Sequence, residues 1–157
     1  TIGMPEVEYQ AFLQIKEMRD KYDYMQQFNT KSKEDIAKTL AIFGAFTEGL
    51  QLFATFAILL NFPRFNKMKG MGQIVTWSAR DESLHTESII KLFNTFVSEN
   101  NDIDIKKLQV DLYKACNTMI SHEDAFIDRA FELGSVEGLR PESVKKYIRY
   151  IADIRLA

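Results

Sequence analysis

The stretch FGAFTEGLQLFATFAILLNF, Phe43 to Phe62, carries a single formal charge, Glu48, among residues dominated by Phe, Leu and Ala. A helix that is apolar nearly all round must be enclosed, either by lipid or by other helices. Leu40 to Leu60 approaches the length of a membrane span, but it contains Thr47, Glu48, Gln51, Thr55 and two glycines, and no other segment resembles a span. The centre of a helical bundle is the better reading. A carboxylate buried there loses several kcal/mol of solvation as a free anion, so it must be protonated, ion-paired or bound to a cation.

The rest of the chain supplies the other helices. Its 157 residues suit one domain with a real core. Only three prolines and seven glycines interrupt it, and no strand pattern, repeat or low-complexity tract competes with helical periodicity. A first helix is expected from about Glu6 to Phe28, with Phe12, Ile15, Met18, Tyr22 and Met25 forming an apolar stripe. Ser32 caps a second helix that runs to about Asn61, before Pro63, over about 45 Å. A third spans about Met71 to Glu99. A fourth, capped by Asp104, runs from Ile105 to Leu133 with Gly134 just beyond it, and Pro141 opens a fifth that ends near Ala157. The fold class is therefore all-α.

Charge and cysteine usage exclude some functions. The 20 Lys and Arg residues against 22 Asp and Glu give a formal charge of −2, without the basic excess of a nucleic-acid binder or an acidic-membrane binder. The single cysteine, Cys116, precludes an internal disulfide framework and suits a core position in a reducing cytoplasm. The start, TIGMPEVEYQAF, lacks the basic and apolar regions of a signal peptide.

The third helix offers a partner for Glu48. In TWSARDESLHTESIIKLF, Glu82 and His85 stand three residues apart on one helix face, where a carboxylate oxygen and an imidazole nitrogen can share one metal ion. Bundles that hold two iron or manganese ions use one Glu from each of two helices and a Glu-x-x-His pair from each of the other two. A Glu-x-x-His pair alone also arises by chance on solvated helix faces. The lone Glu48 on the preceding helix is what gives this one weight.

These residues carry a resemblance. The segment FGAFTEGLQLFATFAILLNFPRFNKMKGMGQIVTWSARDESLH resembles the small, radical-generating subunit of class I ribonucleotide reductase, and GMPEVEYQAFLQIKEMRDKYDY and YIRYIADIRLA resemble flanking parts in the right order. The resemblance implies a ferritin-like bundle and a dinuclear iron centre, or a manganese or mixed one, that activates oxygen. The radical so generated serves a large subunit that reduces ribonucleotides to deoxyribonucleotides. It further implies that Glu48, Glu82 and His85 are metal ligands of one half of the site. Asp81 then matches an aspartate that hydrogen-bonds a ligand histidine on the radical's route, and Leu52, Phe53 and Phe56 match an apolar wall. A homodimer is expected, in the cytoplasm.

The departure from the family is as informative. The family's first ligand half, a carboxylate and another Glu-x-x-His pair followed by a tyrosine, has no counterpart here. The only other histidine, His122, is followed by Glu123 and Asp124 in the wrong order and is expected to be an exposed or locally bonded helix residue. The chain also stops at Ala157, before the family's docking tail, so residues 1–157 are expected to be the carboxy-terminal part of a small-subunit domain. Two copies paired about a two-fold axis would bring together four carboxylates and two histidines. Two other readings are a metal-free helical interaction module, with Glu48 protonated or paired to Arg80, and a related ferritin-like dinuclear oxidase. Trp77, one turn before Asp81, is expected to pack or make a polar-tipped contact at a helix face. Met68 and Met71 suit turn and helix-start packing better than ligation, since thioethers prefer soft metals.

Overall fold

The computed structural model describes Gly3 and residues 5–157. In chain order they form α1 (Glu6–Tyr9), a 3₁₀ turn (Ala11–Gln14), α2 (Lys16–Met25) and α3 (Lys33–Ala41). A π-wound segment (Ile42–Gln51) leads into α4 (Phe53–Arg64), followed by α5 (Lys69–Glu99), α6 (Ile105–Phe131) and α7 (Pro141–Leu156). Among the described residues the only β pairing is an isolated bridge between Val136 and Leu139.

The helix boundaries follow from side-chain chemistry. The Ser32 hydroxyl accepts from the Asp35 amide at 3.1 Å, and the Asp104 carboxylate accepts from the Lys107 amide at 3.0 Å. Each side chain satisfies an amide that the first helical turn leaves without a backbone acceptor. Pro141 takes the first position of α7, where no amide donor is needed. Gly134, with φ of 143°, lies past the end of α6 in a conformation that side chains disfavour.

The expected first helix is not continuous. The chain tightens into a 3₁₀ turn and then extends at Ile15, with φ −85° and ψ 117°, before α2 begins. The intended stripe does not find a common partner: Phe12 and Ile15 remain 41% and 40% exposed, and Tyr22 is exposed too. Met25 at the end of the stripe does pack on the core, together with Tyr24 and Phe28 from outside it, and α2 lies against α6. Tertiary contact, absent for the first part of the stripe, decides where helix persists.

Around α3, the π-wound segment and α4, which run as one long rod, the other helices assemble. Ile42, Ala45, Phe46, Leu50 and Ala54 of the rod meet Ala115, Cys116, Met119 and Ile127 of α6 and Val144, Ile148, Ile151 and Ala152 of α7. The other side of the rod lies along α5. By length and mean hydropathy Lys33–Arg64 could cross a membrane, but here it is the axis of a bundle. Cys116 is buried there, its thiol pushed up to about 11 chiefly by burial, as befits a packing residue.

Candidate metal centre

The π-wound segment determines what Glu48 faces. π winding is rare and is found mostly as short insertions at functional sites. Here the Thr47 hydroxyl donates to the carbonyl of Ile42, five residues back, at 3.2 Å. Two glycines at the same five-residue spacing let neighbouring elements come close. A Cβ on residue 44 would stand 2.4 Å from Ile89 Cγ2 of α5, and one on residue 49 would stand 2.9 Å from Thr86 Cγ2 of the same helix. Side chains at these positions would force the rod away from α5, so the glycines set how near Glu48 comes to that helix.

The outcome is a cluster of three donors. Ligand atoms of Glu48, Glu82 and His85 lie within 4.8 Å of one another. His85 Nδ1 is 3.5 Å from Glu82 Oε2, as the i, i+3 spacing on α5 requires. Glu48 is half-buried, less enclosed than its apolar surroundings in the sequence suggest. Its Oε2 atom is nevertheless buried and has no hydrogen-bond partner among the described residues. An acceptor oxygen in that position is costly unless something electropositive reaches it. Two hard carboxylates and one imidazole suit iron or manganese, so the residues fit the dinuclear group that the resemblance implies. Among the described residues no ion pair joins Arg80 to Glu48, which leaves the ion-paired alternative without support.

On the side away from the rod the cluster is open. The His85 side chain is 56% exposed, and Asp81 is exposed without a hydrogen bond to His85 among the described residues. Ile74, Trp77, Leu84 and Leu92 of α5 are exposed on the same helix. Trp77 is therefore exposed on the helix face and not packed in the core, the first of the two places expected for it. Met68 sits exposed in the turn before α5, with φ of 48°, and Met71 is half-buried in its first turn. Beyond Glu48, Phe53 and Phe56 meet edge to face at 5.7 Å, with Leu52 half-buried beside them.

A second buried carboxylate lies away from this cluster. Glu123 on α6 is fully buried, ion-paired with Lys21 of α2, and its carboxyl is raised to about 7, chiefly by burial and against the pull of Lys21. Lys21 also lies 4.3 Å from the centre of the Phe126 ring. The sequence held a sign of this: Cys116, Met119, Glu123 and Ile127 follow helical spacing on one buried stripe. His122 beside it packs edge to face on Tyr24 at 5.3 Å, and burial lowers its pKa. It is half-buried, its Nδ1 has no hydrogen-bond partner among the described residues, and it is not one of the three clustered donors.

The chain matches the family model for ribonucleotide reductase, small chain, over residues 1–157. It is 44% identical over 191 aligned residues to a probable ribonucleoside-diphosphate reductase small subunit of Invertebrate iridescent virus 6, covering 99% of this chain and 53% of that protein. To the ribonucleoside-diphosphate reductase subunit beta of Chlamydia pneumoniae it is 27% identical, covering 99% of this chain and 49% of that one. A solved structure from Bacillus halodurans, described as a candidate class I ribonucleotide reductase, superimposes with a TM-score of 0.86 at 17% identity, covering 97% of this chain and 57% of that one. The fold is thus the ferritin-like helical bundle, and the chain belongs to the ribonucleotide reductase small-chain family. It spans about half the length of the curated relatives it matches. The alignment with the iridescent-virus relative is longer, at 191 residues, than the 157 of this chain, so that relative has residues inside the matched span with no counterpart here.

Proposed function

We propose that residues 1–157 are the carboxy-terminal part of a small subunit of ribonucleoside-diphosphate reductase, and that Glu48, Glu82 and His85 hold one ion of a dinuclear iron or manganese centre. The observation that carries this is the convergence of the three donors, from two helices, to within 4.8 Å. A bound centre of this kind supplies oxygen activation and a one-electron oxidant. The chain's own part is positional. The π-wound segment presents Glu48 to α5, the i, i+3 pair presents Glu82 and His85 together, and Phe53 with Phe56 keeps water from the rod side. Asp81, one residue before Glu82, is assigned to the polar route by which the radical leaves.

Three donors leave an ion's coordination unfinished, and the open face of α5 lies where the rest must come from. In the complete small subunit other residues close it. For this chain alone, a homodimer about a two-fold axis beside His85 would supply a second set of the same donors. The exposed apolar residues Ile74, Trp77, Leu84 and Leu92 favour such burial. The partner in turnover is the reductase large subunit, and the setting is cytoplasmic.

The test is complementation. Supplied together with the amino-terminal portion of the iridescent-virus relative and a large subunit, the chain should support reduction of ribonucleoside diphosphates, and Glu82→Gln should abolish it. A chain that binds metal but supports no reduction in any such combination would contradict the reductase assignment.

A further inference from the structure

Arg155, near the end of α7, reaches the rod at the residue that follows Glu48. Its Nε donates to the carbonyl of Gly49 at 3.1 Å, and its guanidinium lies 5.8 Å from the centre of the Phe53 ring. The approach depends on glycine, since a Cβ on residue 49 would stand 2.9 Å from Arg155 Nε and 2.9 Å from Thr86 Cγ2. Thr86 directly follows His85, is fully buried, and its hydroxyl has no hydrogen-bond partner among the described residues. One contact therefore joins the chain neighbour of Glu48, the chain neighbour of His85 and the last helix. The guanidinium is partly desolvated, with burial working against its charge and Glu87 supporting it.

A hydrogen bond from a charged donor is stronger than a neutral one, and stronger again away from water. It falls on a segment whose i→i+5 winding is rare and readily lost to the α form. Conversion of the segment to α winding changes the rotation per residue and turns Glu48 relative to the α-helical ends of the rod. Glu48, adjacent to the bonded carbonyl, would then leave the face it shares with Glu82 and His85.

We infer that Arg155 is a positioning residue: by holding the Gly49 carbonyl it keeps the Ile42–Gln51 segment π-wound and Glu48 aimed at Glu82 and His85. The metal half of this statement rests on the reading of those three residues as ligands; the backbone half does not.

The experiment separates the two. Manganous ion is titrated into the wild-type chain and into Arg155→Met, Arg155→Lys, Gly49→Ala and Arg149→Met, with free ion followed by electron paramagnetic resonance. Amide hydrogen exchange is measured on the same proteins without metal. Arg149 is a same-helix control, since it pairs with Asp124 on the exposed side of α7. Arg155→Met and Gly49→Ala should weaken manganese binding by tenfold or more and speed exchange in residues 42–51 over that in α6. Arg155→Lys should recover part of both effects, and Arg149→Met should show neither. Exchange in residues 42–51 that is no faster in Arg155→Met than in Arg149→Met would overturn the inference. So would manganese binding as tight in Arg155→Met as in a wild type that binds it. Faster exchange in Arg155→Met with no manganese held by the wild type would uphold the clamp and remove the metal reading beneath it.

Discussion

Glu123 and Glu48 are both withdrawn from water, but by different means. Glu123 is fully buried against Lys21, and its carboxyl titrates near 7 where an ordinary one titrates near 4.5. The folded chain thus holds this proton more firmly than the unfolded chain does. The stabilisation it gives is complete below about pH 4.5 and is lost as pH rises through 7, at up to about 1.4 kcal/mol per pH unit. Chemical denaturation at a series of pH values should show wild-type stability falling across this window, and Glu123→Gln should flatten the fall. An unchanged slope in the variant would mean that Glu123 is not the group responsible for the fall. Glu48, Glu82 and His85 were legible in the sequence because a lone charge in an apolar run and an i, i+3 pair are both patterns. Glu123 carries no such pattern, since it stands between His122 and Asp124 in a polar run, and only its place on the stripe of Cys116, Met119 and Ile127 marks it as buried.

At the scale of elements, caps and punctuation were legible and winding was not. Ser32, Asp104, Gly134 and Pro141 act locally, so their chemistry is visible without tertiary knowledge. The break at Ile15 and the π turn after Ala41 depend on what each segment packs against, and the same apolar residues serve an α or a π winding equally well. The glycines are the legible trace of the latter. Gly44→Ala would drive a methyl into Ile89, where the Cβ has only 2.4 Å, and should destabilise the fold by about 1–3 kcal/mol. Thermal unfolding should show a midpoint lower by several degrees, on the order of 3–10 °C for a chain of this size. A midpoint at or above that of the wild type would mean that α5 and the rod are not held at this separation.

Over the whole molecule, the bundle leaves one side of α5 bare, and the donors sit on the border of that bare side. The resemblance implies further ligands that have no counterpart among these 157 residues, but how exposed His85 and Trp77 become is a property of packing alone. An unpartnered face of this kind drives association. Light scattering should give a particle mass of at least twice 18.2 kDa for the wild type, and Trp77→Glu combined with Leu84→Glu should shift it towards the single chain. A monodisperse wild-type monomer would remove the homodimer and leave the face to the residues that relatives carry and this chain lacks.

Metal ligation by Glu48, with Glu82 and His85, is the proposal on which the functional reading stands. Its most direct test is metal per chain by elemental analysis, after anaerobic loading with ferrous or manganous ion, on the wild type and on Glu48→Gln. About one ion per chain is expected in the wild type, with a clear loss in the variant. No metal above background in the wild type, or equal metal in both, would contradict it.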